Sequence, residues 1–237
     1  LEHMNVELNS TISSLMYKSY NYENLKINAV INRNLFDGTA NIKDKNLDIA
    51  FKGKISDLNS IPKLKFNADI AKMDLKALNL SNKSFIISGN VESNILNLDL
   101  DKISGNLQIK NGLIYDYNKN HVLNIGYINI NQSINNNKVT SNINSEILNL
   151  ESNGEYKVKS IYNQLMTFLN DRYSDIFSDL DIQYTVDRNP LTVDLTFDLM
   201  GLNKISNFFD WDVKSSPIQG RFILNNLSGV LQSNFNG

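Results

Sequence analysis

The segment Leu191 to Leu199, LTVDLTFDL, places a large apolar residue at every odd position and Thr or Asp at every even one. Successive side chains of a strand point to opposite faces, so this is a strand with one dry face and one wet face. Its dry face carries Leu191, Val193, Leu195, Phe197 and Leu199. The same period recurs along most of the chain. LKINAVI aligns Leu25, Ile27, Ala29 and Ile31, and NLDIAFKGKI aligns Leu47, Ile49, Phe51 and Ile55. LKFNADI aligns Leu64, Phe66, Ala68 and Ile70, and ISGNLQI aligns Ile103, Gly105, Leu107 and Ile109. IQYTV aligns Ile182, Tyr184 and Val186, and IQGRFIL aligns Ile218, Gly220, Phe222 and Leu224. The intervening positions are mostly Lys, Asn, Asp, Gln, Thr or Arg.

Turn-forming clusters separate these runs: NLFDG at 34–38, KDKN at 43–46, KNG at 110–112, NNNK at 135–138, SNG at 152–154 and DRNP at 187–190. Their spacing is that of an antiparallel meander. The three prolines, Pro62, Pro190 and Pro217, each precede an alternating run, where they start a strand without removing a ladder donor. One segment breaks the two-residue period. In 158–180, Ile161, Leu165, Phe168, Leu169, Tyr173, Ile176 and Phe177 follow helical spacing, which predicts an amphipathic helix with Ser160 as its N-cap. A shorter helical turn is expected at 73–80. Both read as covers for an open end or edge of a sheet. The expected layout is therefore an expression remnant at 1–4, a β-rich segment over 5–157, the helix at 158–180, and a continuation of the same β domain over 181–237.

Composition narrows the function. The 237 residues carry 23 basic and 25 acidic side chains of interspersed sign, without a basic stripe, so nothing points to nucleic acid or an anionic membrane surface. Cysteine is absent, which removes disulfides, thiolate catalysis and cysteine-ligated metals. About forty asparagines exceed average usage and fit a biased codon composition. No apolar run reaches the ~20 residues of a membrane-spanning helix. The chain reads as a piece of a longer protein, so this says little about an anchor elsewhere.

Candidate chemistry is sparse. His121 is the only histidine outside the N-terminal remnant, and lone histidines are usually structural or solvated. Asp99 with Asp101, and Asp210 with Asp212 around Trp211, have the spacing of one strand face, which accounts for them without a glycosidase pair. DKNLD at 44–48 lacks the spacing of a calcium loop, and no phosphate-binding glycine loop or zinc spacing is present. The expectation is a protein that is not an enzyme and uses no cofactor or metal.

Longer stretches carry a family pattern. Residues 36–80 run through FKGKI and ADIAKMDLKALNL, and residues 87–117 through SGNVESN and GNLQIKNGLIY. LTVDLTFDL and SSPIQGRFILNNLSGVLQSNF (215–235) complete the order. This resembles the TamB family of outer-membrane biogenesis proteins in its Bacteroidota form, within the AsmA-like, repeating β-groove lipid-transfer superfamily. The internal helix departs from the better-known proteobacterial branch. The resemblance covers most of 24–237 and implies a curled antiparallel sheet forming an open U-shaped trough, or β-taco, with a hydrophobic interior. It further implies a periplasmic location, an inner-membrane anchor outside this chain, phospholipid acyl chains as cargo, and an Omp85-type outer-membrane barrel as partner. The implied groove lining is Leu25, Ile27, Ile31, Leu47, Ile49, Phe51, Leu64, Phe66, Ile70, Leu107, Ile109, Ile182, Tyr184, Val186, Leu191, Val193, Leu195, Phe197, Leu199, Ile218, Phe222 and Leu224.

Two alternatives stay open at this level. The dry faces suit a closed sandwich core as well as a trough. A structural β-domain that docks a barrel or another envelope protein by edge-strand pairing would show the same alternation.

Overall fold

The computed structural model describes residues 5–98, 103–157, 163–164, 166–167, 170–171, 184–189, 191–211, 217–225 and 230–236. The molecule is mainly antiparallel β. Thirteen strands form one sheet, in spatial order identical to chain order. They are β1 (Val6–Tyr17), β2 (Tyr20–Asn32), β3 (Leu35–Lys43), β4 (Leu47–Ser56), β5 (Lys63–Asp74), β6 (Phe85–Asn97), β7 (Ser104–Asp116), β8 (His121–Asn135), β9 (Lys138–Ser145), β10 (Leu148–Glu155), β11 (Thr192–Leu199), β12 (Ile218–Asn225) and β13 (Val230–Asn236). β1 and β13 pair on one side only, so the sheet is open.

The turns show why the meander forms. Lys18 and Ser19 join β1 to β2, and Asn136 and Asn137 join β8 to β9, all at positive φ. Two consecutive positive-φ residues make the turn whose twist matches a two-residue hairpin, and Asn tolerates that region better than most residues. At the third hairpin Asp44 closes the loop with its carboxylate, which accepts the N–H groups of Asn46 and Leu47 at 2.7 and 2.8 Å.

Three expected turns lie elsewhere. The β2–β3 turn is at Arg33 and Asn34, so Phe36, Asp37 and Gly38 belong to β3. Residues 110–112 lie within β7, where Asn111 takes φ 54° at a shift of register. Residues 152–154 lie within β10. Gly38 and Gly154 stand where two strands approach closely and not where the chain reverses, and Gly112 pairs with Gly126 between two shifts of register. A methyl on Gly38 would fall 2.5 Å from the Ala29 Cβ of β2. Directly opposed Cβ atoms are normally about 4.5–5.5 Å apart. The sheet therefore creases toward the face that carries Ala29.

Because the sheet is a meander, alternate connections lie along the same rim. The connections 75–84, 117–120, 146–147 and 200–217 share one rim, and the long connection 156–191 leaves from the other. At 75–80 the backbone makes a single helical turn, with the Leu78 N–H on Asp74 O at 3.0 Å and the Ala77 N–H on the Asp74 carboxylate at 3.0 Å. Leu78 is fully buried there among Tyr22 and Leu47.

The sequence pattern did not show a second helix, Leu202–Phe209, on the same rim. Its signal is Leu202, Ile205 and Phe208 at three-residue spacing, too short to stand out. Its C-cap is Asp210 in the left-handed region, with Trp211 following, so these two are not strand residues. Asp99, Asp101 and Asp212 lie outside the described residues.

Residues 163–164, 166–167 and 170–171 of the expected 158–180 helix are helical, and the remainder of that span lies outside the described residues. The expected strand IQYTV is a correction. Ile182 lies outside the described residues, Tyr184 and Val186 are in no strand, and Val186 is 58% exposed. Side chains of the helical residues take the donors that a ladder would have used. The Thr185 N–H donates to Asn163 Oδ1 at 3.1 Å and the Asp187 N–H to Thr167 Oγ1 at 2.9 Å.

Candidate functional site: one apolar face across thirteen strands

Strand registers place the apolar residues of successive strands directly opposite one another. Ile27, Ala40, Phe51, Ala68, Val91, Ile109 and Ile128 form one cross-strand row from β2 to β8. A parallel row runs Ile31, Phe36, Ile55, Leu64 and Ile95. Phe66 heads another, followed by Ser93, Leu107, Ile130, Ile143, Leu150 and Phe197. Toward the first rim lie Leu25, Ile42, Ile49 and Ile70, then Leu47 opposite Met73. On the last strands Leu199 faces Ile218, Leu195 faces Phe222 and Val193 faces Leu224. Leu191, just before β11, packs with Val193 and Leu224.

Nineteen of the 22 residues expected to line a groove therefore share one face; Tyr184 and Val186 do not join it, and Ile182 lies outside the described residues. The opposite face is polar. Asn94, Asn106, Asn131 and Asn142 form one of its rows on β6 to β9.

Burial distinguishes a core from an open face. Side chains between two packed sheets are fully enclosed. Here Ile27, Phe51, Val91, Ile109, Ile128 and Phe197 are only partly buried. The strands form one sheet, and no second sheet packs on it among the described residues. Two clusters of buried apolar residues lie near the rims, one around Leu78 and the other around Leu191 and Leu224, and Ala29, Ala68, Leu123, Val139, Met166 and Phe208 are buried outside them. The chain exposes 14876 Å² of surface. A compact monomer of this mass exposes about 10,800 Å². A sheet face with no second sheet on it contributes to that excess.

The interior of the face is aromatic near β3 to β5. The rings of Phe36, Phe51 and Phe66 follow one another at centroid distances of 6.1 and 5.4 Å. They stand beside the small residues Gly38, Gly53, Ala40 and Ala68, which let the sheet bend under them. A polar insertion crosses β8 to β10. Gln132 Nε2 donates to Ile103 O at 2.8 Å, Ser141 Oγ donates to Gln132 Oε1 at 3.0 Å, and the Tyr156 hydroxyl lies 3.3 Å from Ser141 Oγ and 2.6 Å from Ser152 Oγ. The Tyr156 ring packs against the Leu191 group, so this chain of hydrogen bonds ties the start of the long connection to the sheet.

The helix Leu202–Phe209 covers the first rim. Phe208 is 3% exposed and its ring meets Phe85 at 5.7 Å. Polar contacts hold it: Lys119 Nζ donates to Asp210 Oδ2 at 2.7 Å, and Lys204 Nζ to Glu146 Oε2 at 3.2 Å. His121 Nδ1 lies 3.1 Å from Phe208 O and 3.6 Å from Asp210 Oδ1, which gives this histidine a structural role. The hydrogen bond from Lys119 holds the Asp210 carboxyl below the usual carboxylate range.

Depressions lined by described residues lie away from the apolar face. One of 460 Å³ lies mainly among Asn149, Thr196, Gln219 and Arg221 on the polar side, and one of 620 Å³ lies by the turn at 76–82. They are shallow and hold no cluster of catalytic groups. An open apolar face has no roof and so forms no enclosed cavity. Among the described residues no group of three metal-ligating side chains converges, and no helix is long and apolar enough to cross a membrane.

No family model matches the chain, and no curated protein or solved structure shows similarity to it.

Proposed function

We propose that this chain is a non-enzymatic lipid conduit, a segment of a TamB-like periplasmic bridge that holds phospholipid acyl chains on its apolar face. The observation that carries the reading is the set of in-register apolar rows that stay partly exposed across the sheet. Apolar area left in water costs about 25 cal/mol per Å², and contact with an acyl chain offsets that cost. Thirteen strands at about 4.8 Å spacing give a face roughly 58 Å long. That is about twice the ~30 Å hydrocarbon core of a bilayer, so extended acyl chains fit end to end. Lining of Leu, Ile, Val and Phe selects by shape and apolarity and leaves a headgroup in solvent at the open side.

The periplasmic location, the inner-membrane anchor outside this chain and the Omp85-type barrel belong to the same proposal and rest on the family resemblance. A barrel partner of this kind would dock by adding a strand to a free sheet edge.

Native mass spectrometry of the purified chain, with and without added phospholipid, tests the reading. The expected result is co-purified or acquired phospholipid that Phe51→Arg and Phe197→Arg remove while the fold persists. A chain that is lipid-free and takes up none on addition overturns it.

A further inference from the structure

The connection between β5 and β6, residues 75–84, reads LKALNLSNKS, with two lysines and no acidic residue. It folds back over the neighbouring strands. Leu78 is buried against Tyr22 of β2 and Leu47 of β4, and Asn79 Nδ2 donates to Lys18 O of the β1–β2 turn at 3.0 Å. Successive connections on one rim are two strand spacings apart, about 10 Å, so the fold-back spans about 20 Å. It gathers the connections 18–19, 44–46 and 75–84, which carry Lys18, Lys45, Lys76 and Lys83, all exposed, against one carboxylate, Asp44. None of the four lysines forms an ion pair with a described residue. Asp44 is taken up by the N–H groups of Asn46 and Leu47, and Asp74, at the end of β5, is 8% exposed and accepts the Ala77 N–H. No basic run marks the patch in the sequence, because its lysines come from three connections.

The 620 Å³ depression in this turn is lined by Lys76, Asn79, Leu80, Ser81 and Asn82. Lys76 Nζ makes one long contact, to Ser84 Oγ at 3.4 Å, and an ammonium has three donors to give. Ser81 Oγ accepts the Lys83 N–H at 3.0 Å, which leaves its own O–H to donate. Leu78 of the same turn joins the apolar rows through Leu47, which faces Met73. We propose that this depression binds the phosphate of a lipid headgroup whose acyl chains lie on the apolar face. Lysine holds phosphate as a point charge. A helical turn is about 10 Å across, and an acyl chain spans about 15 Å, half the hydrocarbon core of a bilayer, so one lipid reaches from the depression to the rows. The site rests on the conduit reading, to which it adds a preference among lipids. Inorganic phosphate carries the same charge but makes no contact with the rows, so the lipid should bind more tightly.

Lipid uptake by the whole chain tests this. The chain is incubated with phosphatidylcholine vesicles that contain equal small amounts of phosphatidylglycerol and of diacylglycerol with the same acyl chains. It is then separated from the vesicles, and its bound lipid is extracted and quantified. The expected result is a preference for phosphatidylglycerol that Lys76→Gln with Lys83→Gln lowers about tenfold, while the variant still takes up diacylglycerol. High salt should weaken the preference as well. Lys52→Gln with Lys65→Gln makes the same charge change at exposed positions of the polar face and should leave the preference intact. Inorganic phosphate at the concentration of the lipid should displace none of it. Thermal melts establish that each variant is folded. An unchanged preference in the Lys76 and Lys83 variant overturns the site and leaves the conduit reading standing. An equal loss in the Lys52 and Lys65 variant, or displacement by inorganic phosphate, also overturns it. A chain that takes up neither lipid overturns the conduit reading, and this site falls with it.

Discussion

Gly38 and Gly53 face each other across β3 and β4, and neither position has room for a methyl group. A Cβ on Gly53 would lie 2.4 Å from the Phe66 Cβ and 2.6 Å from Lys65 O. Backbone and a strand-borne Cβ cannot yield as a flexible side-chain tip can. Gly53→Val should therefore destabilise by about 1–3 kcal/mol or more through overpacking. Urea titration reads the loss. A variant as stable as the parent means that the crease between β4 and β5 is not a fixed feature.

The contrast between partly covered and fully covered apolar residues gives a second expectation. Leu224 is 1% exposed and packs under Leu191, so Leu224→Ala should cost about 2–5 kcal/mol. Phe51 is partly exposed on the open face, so Phe51→Ala should cost under about 2 kcal/mol despite the larger side chain removed. Equilibrium unfolding of both variants, free of lipid, compares them. A sandwich core would make the phenylalanine the costlier loss.

Ser93 makes a third case. Its Oγ is buried, with the residue 2% exposed, and has no hydrogen-bond partner. It stands between Phe66 and Leu107 on the apolar face. An unsatisfied buried hydroxyl carries a desolvation cost, so Ser93→Ala should leave stability unchanged or raise it by up to about 1 kcal/mol. A clear loss in thermal melts would mean that the hydroxyl is bonded in solution.

The rim helix has a pH window. Asp210 has its carboxyl pKa lowered, first by the hydrogen bond from Lys119 and further by the charges of Lys119 and His121. A lowered folded value means that this contribution is fully present above the ordinary carboxylate pKa, about 3.9, and is lost as pH falls through the lower folded value. Trp211 is the only tryptophan, and it stacks on Phe209 at 5.0 Å, so its emission reports the docked helix end. The emission should hold steady from neutral pH down to about 4 and change only below it. Asp210→Asn should show the acid-state emission at neutral pH. A transition centred above pH 5 would overturn the assignment to Asp210.

The alternation of Leu191 to Leu199 was enough to define a one-sided strand, because a strand's side chains alternate by local geometry alone. The same reasoning placed most of the lining residues on a common face, since a one-residue slip would carry every apolar side chain into water. Asn136 and Asn137 declared their hairpin for the same local reason. Gly38, Gly112 and Gly154 misled as turn signals, because glycine serves tight reversal, close strand approach and a shift of register alike. Tyr184 and Val186 alternate like a strand, yet side chains of helical residues far along the chain take their neighbours' donors.

Whether the dry face of LTVDLTFDL is a core or a surface could not be read from the chain. Periodicity records which residues avoid water, not what they meet instead. That choice depends on whether another layer folds back over the sheet. Tertiary structure decided it: one open sheet, covered toward its rims by the 75–80 turn, the Leu202–Phe209 helix and Tyr156, with the rows between them left partly in solvent among the described residues. Long-range packing places those covers, and nothing in the two-residue period encodes where they land.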